Sequence, residues 1–323
     1  MGSKRIAGFS SILLVLVVIA GGLYFRQDIF DWYVLRSYQP PAEIASLATD
    51  TSMLDTTRRV FYVNKPVIAN KETFNQYCRN NNEQSIVLGC YLSGQRGIYL
   101  FDIQDDRLSG VKEVTAAHEV LHAVYDRLSN SEREKVNKML LVAYEGVTSS
   151  RIRESVELYR KQDPNIVNNE LHSILGSEVR NLPEELEAYY SQYFSKRTQI
   201  VAYSERYEQV FVERRNMVRD YDTQLISLKK DIESMSEELK IENQELTNLR
   251  DELNSLKTTN IEEHNQKVPE FNSRVNNYNK ATDELTAKIN QYNDIVQKRN
   301  DIVSEESELM DAMDSRQVIP DRN

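Results

Sequence analysis

From Leu225 to Val303 apolar residues return with a three-four alternation, and no other property of this chain restricts its fold so strongly. Leu225, Leu228, Ile232, Met235, Leu239, Leu246, Leu249, Leu253 and Leu256 form a first run, with Glu242 as its one break in step. Thr258, Thr259 and Asn260 interrupt it. Val268, Phe271, Val275, Tyr278, Leu285, Ile289, Tyr292, Val296 and Val303 then resume it. An apolar seam with a period near 3.5, bordered by polar positions, specifies coiled-coil helices. Each arm would reach about 75 Å at 1.5 Å per residue. An antiparallel hairpin turning near Thr258 is the simplest arrangement. The alternative is a parallel homodimer, in which the coil recruits a second copy or another partner helix.

The region before the coil carries a different signal. His118-Glu119-Val120-Leu121-His122 spells H-E-x-x-H, and no flanking residue from Val114 to Val124 is charged. On a helix, residues four apart lie one above the other. Two imidazoles so placed reach one Zn²⁺, and the glutamate between them stands beside the metal without binding it. Val114, Ala117, Leu121, Val124 and Leu128 recur at three- and four-residue spacing as a core-facing stripe. The helix is expected from Lys112 to Leu128. Ser131 and Glu134 have capping-box spacing for the helix that follows. In this reading Glu119 is the catalytic general base and His118 and His122 are metal ligands.

A catalytic zinc takes three protein ligands and a water. Ala123-Val124-Tyr125 follows the motif without the glycine that a nearby third histidine would need, which leaves a glutamate on a later helix. Asn169-Glu170-Leu171-His172-Ser173 is the best segment. Here the chain resembles the gluzincin metallopeptidases, whose pattern is H-E-x-x-H followed downstream by N-E-x-x-S/A. The resemblance covers these two segments and implies that His118, His122 and Glu170 hold one Zn²⁺ per chain. It also implies that the chain is a zinc-dependent hydrolase of peptide or protein substrates. Where the family has a carboxylate four residues after the third ligand, this chain has Ile174. Glu178 is therefore the alternative ligand, with Gly176 allowing its helix a close approach. Tyr159, His172, Tyr189 and Tyr190 are candidates for oxyanion stabilisation or, for His172, for supporting a metal ligand.

Residues 6–24 carry no charge, follow Lys4 and Arg5, and are long enough to cross a bilayer as a helix. The expectation is a single-pass membrane protein with its N-terminus cytoplasmic and its bulk extracellular or periplasmic. In an oxidising compartment Cys78 and Cys90, the only two cysteines, would form a disulfide around the polar residues 79–84. The net charge of -10, with no basic stripe, argues against nucleic acid as a partner.

Short β-prone runs at 59–63, 85–89 and 97–103, the last two joined around Ser93-Gly94, suggest a small antiparallel sheet just before the motif helix. The fold class expected is α+β. An anchor over 1–29 precedes a zincin-like metallopeptidase domain of sheet and helices over 30–200, and the coiled coil fills 201–323. A different class of function would be a catalytically degenerate surface protein that acts through its coil. The presence of Glu119 beside both histidines argues against that, since a degenerate site has no use for it.

Overall fold

A computed structural model describes residues 19, 21–22, 24–78, 87–94 and 96–316. The chain divides into two compact units, one from Met1–Gln209 with Leu309–Asn323 and one from Val210–Glu308.

In the first unit, helices α1 (Arg26–Leu35), α2 (Ala42–Asp50) and α3 (Asp55–Val63) come first. Strand β1 (Val67–Ala69), helix α4 (Lys71–Tyr77) and the hairpin β2 (Gly89–Leu92) and β3 (Gly97–Phe101) follow. Helices α5 (Val111–Arg127), α6 (Asn130–Glu145), α7 (Ser150–Gln162), α8 (Val167–Glu178) and α9 (Glu184–Tyr190) complete the sequence before α10 (Arg197–Thr259) and α11 (Ile261–Met313). The described residues are therefore mainly helical, which corrects the expected α+β, zincin-like domain. The sheet has three strands in the order β1-β3-β2. It is mixed, not antiparallel: β2 runs against β3, with Tyr91 opposite Ile98, while β1 runs parallel to β3.

Residues 59–63 show why the strand content was overestimated. Their β-branched and aromatic character suggests a strand, yet they lie in α3. Thr57 and Phe61, one turn apart, are fully buried on one face. Arg59 on the other face meets Asp28 and Asp31. Tertiary burial at a helical period outweighs a local preference of this size. Residues 85 and 86 of a second expected strand lie outside the described residues.

The expected membrane anchor is also corrected. Among the described residues no helix is long and apolar enough to cross a membrane, so a single-pass membrane location is not supported. The stretch 6–24 on which that reading stood falls almost entirely outside the described residues. Asp31, just beyond it, is buried and tied to Arg127 at the end of α5 at 2.8 and 3.1 Å, which fastens α1 to the motif helix.

Helix α5 is the centre of this unit. Ala116, Ala117, Val120 and Leu121 are fully buried, and the helix packs on α8, the sheet, α3 and α2. Full burial of a leucine contributes about 1.5–3 kcal/mol, and Leu121, Leu171 and Leu175 all meet that condition. Gly176 makes the α5–α8 contact possible, since a Cβ there would come 2.5 Å from Leu121 Cδ1 and 2.8 Å from Tyr190 Cε1. Helix α6 begins two residues earlier than the sequence suggested: its capping box is Ser129 with Glu132, not Ser131 with Glu134. The Cys78–Cys90 disulfide joins the end of α4 to β2.

The second unit is an antiparallel helical hairpin. Ion pairs join Asp222 to Arg299, Asp231 to Lys288 and Glu242 to Arg274, partners that lie at nearly equal distances in sequence from Asn260. Glu242, the break in the apolar repeat, thus meets an arginine across the seam. Leu228, Leu246, Leu253 and Ile295 are buried in that seam. Ile289 and Val303, expected there, are 39% and 42% exposed. The inward positions near them are Ile295 and Ile302, and Lys288 crosses to Asp231.

Candidate metal centre

His118 and His122 lie on the face of α5 that borders a cleft of about 410 Å³. Their rings are 4.8 Å apart, centroid to centroid, as the four-residue spacing requires. Helix α8 crosses them. Glu170, Ile174 and Glu178 recur every four residues on that helix, and all three line the cleft. The remaining residues of α8 between Leu171 and Ser177 face the core.

Glu170 reaches both histidines, with one carboxylate oxygen 3.8 Å from His118 Nε2 and the other 3.8 Å from His122 Nε2. The three side chains each offer one atom, and these atoms lie within 4.8 Å of one another, so the group could hold a metal ion. Ligand atoms around a tetrahedral ion with bonds near 2.0–2.1 Å are spaced about 3.3–3.4 Å, so a small inward movement would complete the set. Burial opposes ionisation of Glu170, but the neighbouring His122 and His118 outweigh it and hold the carboxyl below its usual range. Glu178 does not join this group. Its carboxylate lies 3.9 Å from His118 Nδ1, on the other side of that ring, and donates nothing to the space between the three ligand atoms.

The second nitrogen of each histidine has its own neighbour. His122 Nδ1 is 3.0 Å from Asn169 Oδ1. An amide oxygen there accepts from Nδ1–H and leaves the lone pair on Nε2, toward Glu170. For His118 the neighbour is Glu178, at an ion-pair distance of 3.9 Å that is longer than a hydrogen bond. Arg151 of α7 holds the other oxygen of Glu178 at 2.8 Å.

Glu119 is 5% exposed and also lines the cleft. Strand β2 runs beside it, and Gly89 lies so close that a Cβ would fall 2.5 Å from Thr115 Cγ2 and 2.7 Å from Glu119 Oε1. Among the described residues β2 is an end strand of the sheet, and its residues Gly89, Cys90 and Tyr91 line the cleft. Ser315 donates from Oγ to the Val87 carbonyl at 2.6 Å and fixes the approach to that strand.

The four oxyanion candidates separate. Tyr159 lines the cleft. His172, Tyr189 and Tyr190 do not, which corrects their assignment to oxyanion stabilisation. His172 is fully buried beneath α5, with Nε2 2.8 Å from the Tyr189 hydroxyl, and Tyr190 donates to the His172 carbonyl at 2.7 Å. Burial first, then the charges of His122 and His118, push the His172 imidazole down to about 3, so the ring is neutral. Tyr207, from the first turns of α10, lines the cleft and was not foreseen. Burial and the nearby Glu178 raise its phenol above the usual range, which keeps it a neutral O–H. Tyr203 and Tyr207, one turn apart just before the heptads begin, were the available signal.

Comparisons with protein-family models, with curated proteins and with solved structures find no match for this chain.

Proposed function

We propose that the cleft is the active site of a zinc-dependent peptidase, with His118, His122 and Glu170 as ligands. The observation that carries this reading is the grouping of two imidazole nitrogens and one carboxylate oxygen within 4.8 Å of one another on the wall of a cleft that Glu119 also lines. Two imidazoles and a carboxylate are a donor set suited to zinc, and the hydrogen-bond distance from His122 Nδ1 to Asn169, with Glu178 facing His118 Nδ1 at 3.9 Å, supports it. Bound zinc would lower the pKa of a coordinated water to around 7 and polarise a carbonyl.

The chain's own residues supply the rest. Glu119 takes a proton from the attacking water and returns it to the leaving amine. Strand β2, an end strand of the sheet among the described residues, lines the cleft, and an extended peptide laid along such a strand is the substrate this wall suits, which favours a polypeptide over a compact small molecule. Gly89 keeps that strand close to Glu119. Tyr159 and Tyr207 line the cleft and are the residues we assign to stabilising a developing oxyanion. The arrangement resembles the gluzincin ligand set, reached here in a mainly helical setting.

The test is cleavage of unstructured protein and of quenched peptide libraries by the zinc-loaded chain and by Glu119→Gln. The proposal expects cleavage by the former and a loss of at least about 10²-fold in the latter, with zinc retained. Equal rates for the two proteins would remove Glu119 from the chemistry.

A further inference from the structure

The carboxylate of Glu178 sits at an unfavourable place. It is the last residue of α8, where the unpaired carbonyls of the helix end repel an anion. Yet it is held there with its two oxygens divided. One faces His118 Nδ1 at 3.9 Å and the other accepts from Arg151 Nη2 at 2.8 Å. Arg151 is in turn shared. Its Nε donates to Glu208 Oε1 at 3.1 Å, and Glu208 stands on α10, a helix that contributes no metal ligand. Four side chains from four helices, α5, α8, α7 and α10, thus form one row within the first unit.

We propose that Arg151 is a positioning residue which, braced by Glu208, fixes Glu178 against His118 and so sets the affinity of the metal centre. The inference rests on the metal-site reading given above. A planar guanidinium serves this purpose because its Nε and Nη2 lie on one edge with fixed separation. Its Nη2 donates to Glu178 while its Nε donates to Glu208, which fixes the guanidinium where it lines the cleft. Without it, the anion of Glu178 turns from the helix end toward water, and His118 loses the group that orients its ring. His122 is untouched, because Asn169 holds it from a different turn of α8. The two histidines are therefore supported independently, one by an amide on its own neighbouring helix and one through a chain of charges that ends on α10.

The experiment compares the full chain with Arg151→Met, Arg151→Lys and Glu208→Gln. Zinc affinity is measured by chelator competition, and the imidazole 1H–13C signals of the metal-free proteins are recorded below their melting temperatures. The expected result is about 10- to 100-fold weaker zinc binding in Arg151→Met. A smaller loss is expected in Glu208→Gln and an intermediate one in Arg151→Lys, which keeps the charge without the fork. In the metal-free protein Arg151→Met should shift the His118 signals and leave those of His122 in place. Wild-type zinc affinity in Arg151→Met would overturn the proposal. So would equal movement of both histidines, which would mark general loosening. Absence of zinc uptake by the unaltered chain contradicts the metal-site reading instead. The selective shift of His118 in metal-free protein decides the positioning role in that case too.

Discussion

His122 Nδ1 lies 3.0 Å from Asn169 Oδ1, which couples the motif helix to the residue next to Glu170. One contact therefore orients a candidate ligand and registers α8 on α5. Replacing Asn169 by Ala should weaken zinc binding about 10- to 100-fold while changing the melting temperature little, since the group is at the cleft wall. Chelator competition checks this. Unchanged affinity would mean that the ring is fixed by packing alone.

Gly176 is the position where α8 touches α5 most closely. Gly176→Ala adds a methyl 2.5 Å from Leu121 Cδ1 and 2.8 Å from Tyr190 Cε1, both in a filled core. Overpacking of this kind costs about 1–3 kcal/mol, more than alanine's better helix propensity returns. Denaturant unfolding should show a net loss, and Gly176→Val a larger one. A stabilised Gly176→Ala would show that α8 can move off α5 freely.

The neutral, buried His172 makes stability depend on pH. Its folded pKa, about 3, lies below the unfolded value of 6.5. Between these values the unfolded chain binds a proton that the folded chain refuses. The contribution is thus complete above about pH 6.5 and lost as pH falls toward 3, by up to about 1.4 kcal/mol per unit. His172→Phe should lower stability at neutral pH, through the lost Tyr189 hydrogen bond, and flatten the decline between pH 6 and 4. Parallel stability–pH curves for the two proteins would contradict the assignment.

In the hairpin, Ile295 and Ile289 look alike in sequence and differ in burial, at 5% and 39% exposure. Ile295→Ala should cost about 2–4 kcal/mol and Ile289→Ala well under half of that. Thermal unfolding of the full chain, followed by helical circular dichroism, separates them. Equal losses would place both in the seam.

That contrast shows where sequence reading succeeds. A helix face is encoded by local spacing, so His118, Glu119 and His122 could be placed together, and Glu170 with them once a later helix was granted. The Cys78–Cys90 bridge was legible for a similar reason, as a pair around a short polar loop. The contacts of Glu178 were not legible, because they depend on α8 spanning two further turns and on Arg151 arriving from another helix. His172, Tyr189 and Tyr190 were misplaced because an aromatic near a motif in sequence can face the core. Only the crossing of α8 on α5 decides which face is inward. Ile289 was misassigned because the inward row steps by seven through Lys288, Ile295 and Ile302, and at its first position stands a lysine that pairs with Asp231, so the apolar residue beside it was taken instead. The strand expected at 59–63 failed because burial of Phe61 at a helical period overrode local preference.

The most direct measurement is the zinc content of the purified chain beside Glu170→Ala and Glu178→Ala, after zinc addition and removal of excess. The account predicts about one zinc per chain in the unaltered protein. It predicts none in Glu170→Ala, and retained but weaker binding in Glu178→Ala. A folded, unaltered chain that takes up no zinc, or one that loses its zinc in Glu178→Ala and keeps it in Glu170→Ala, would contradict it.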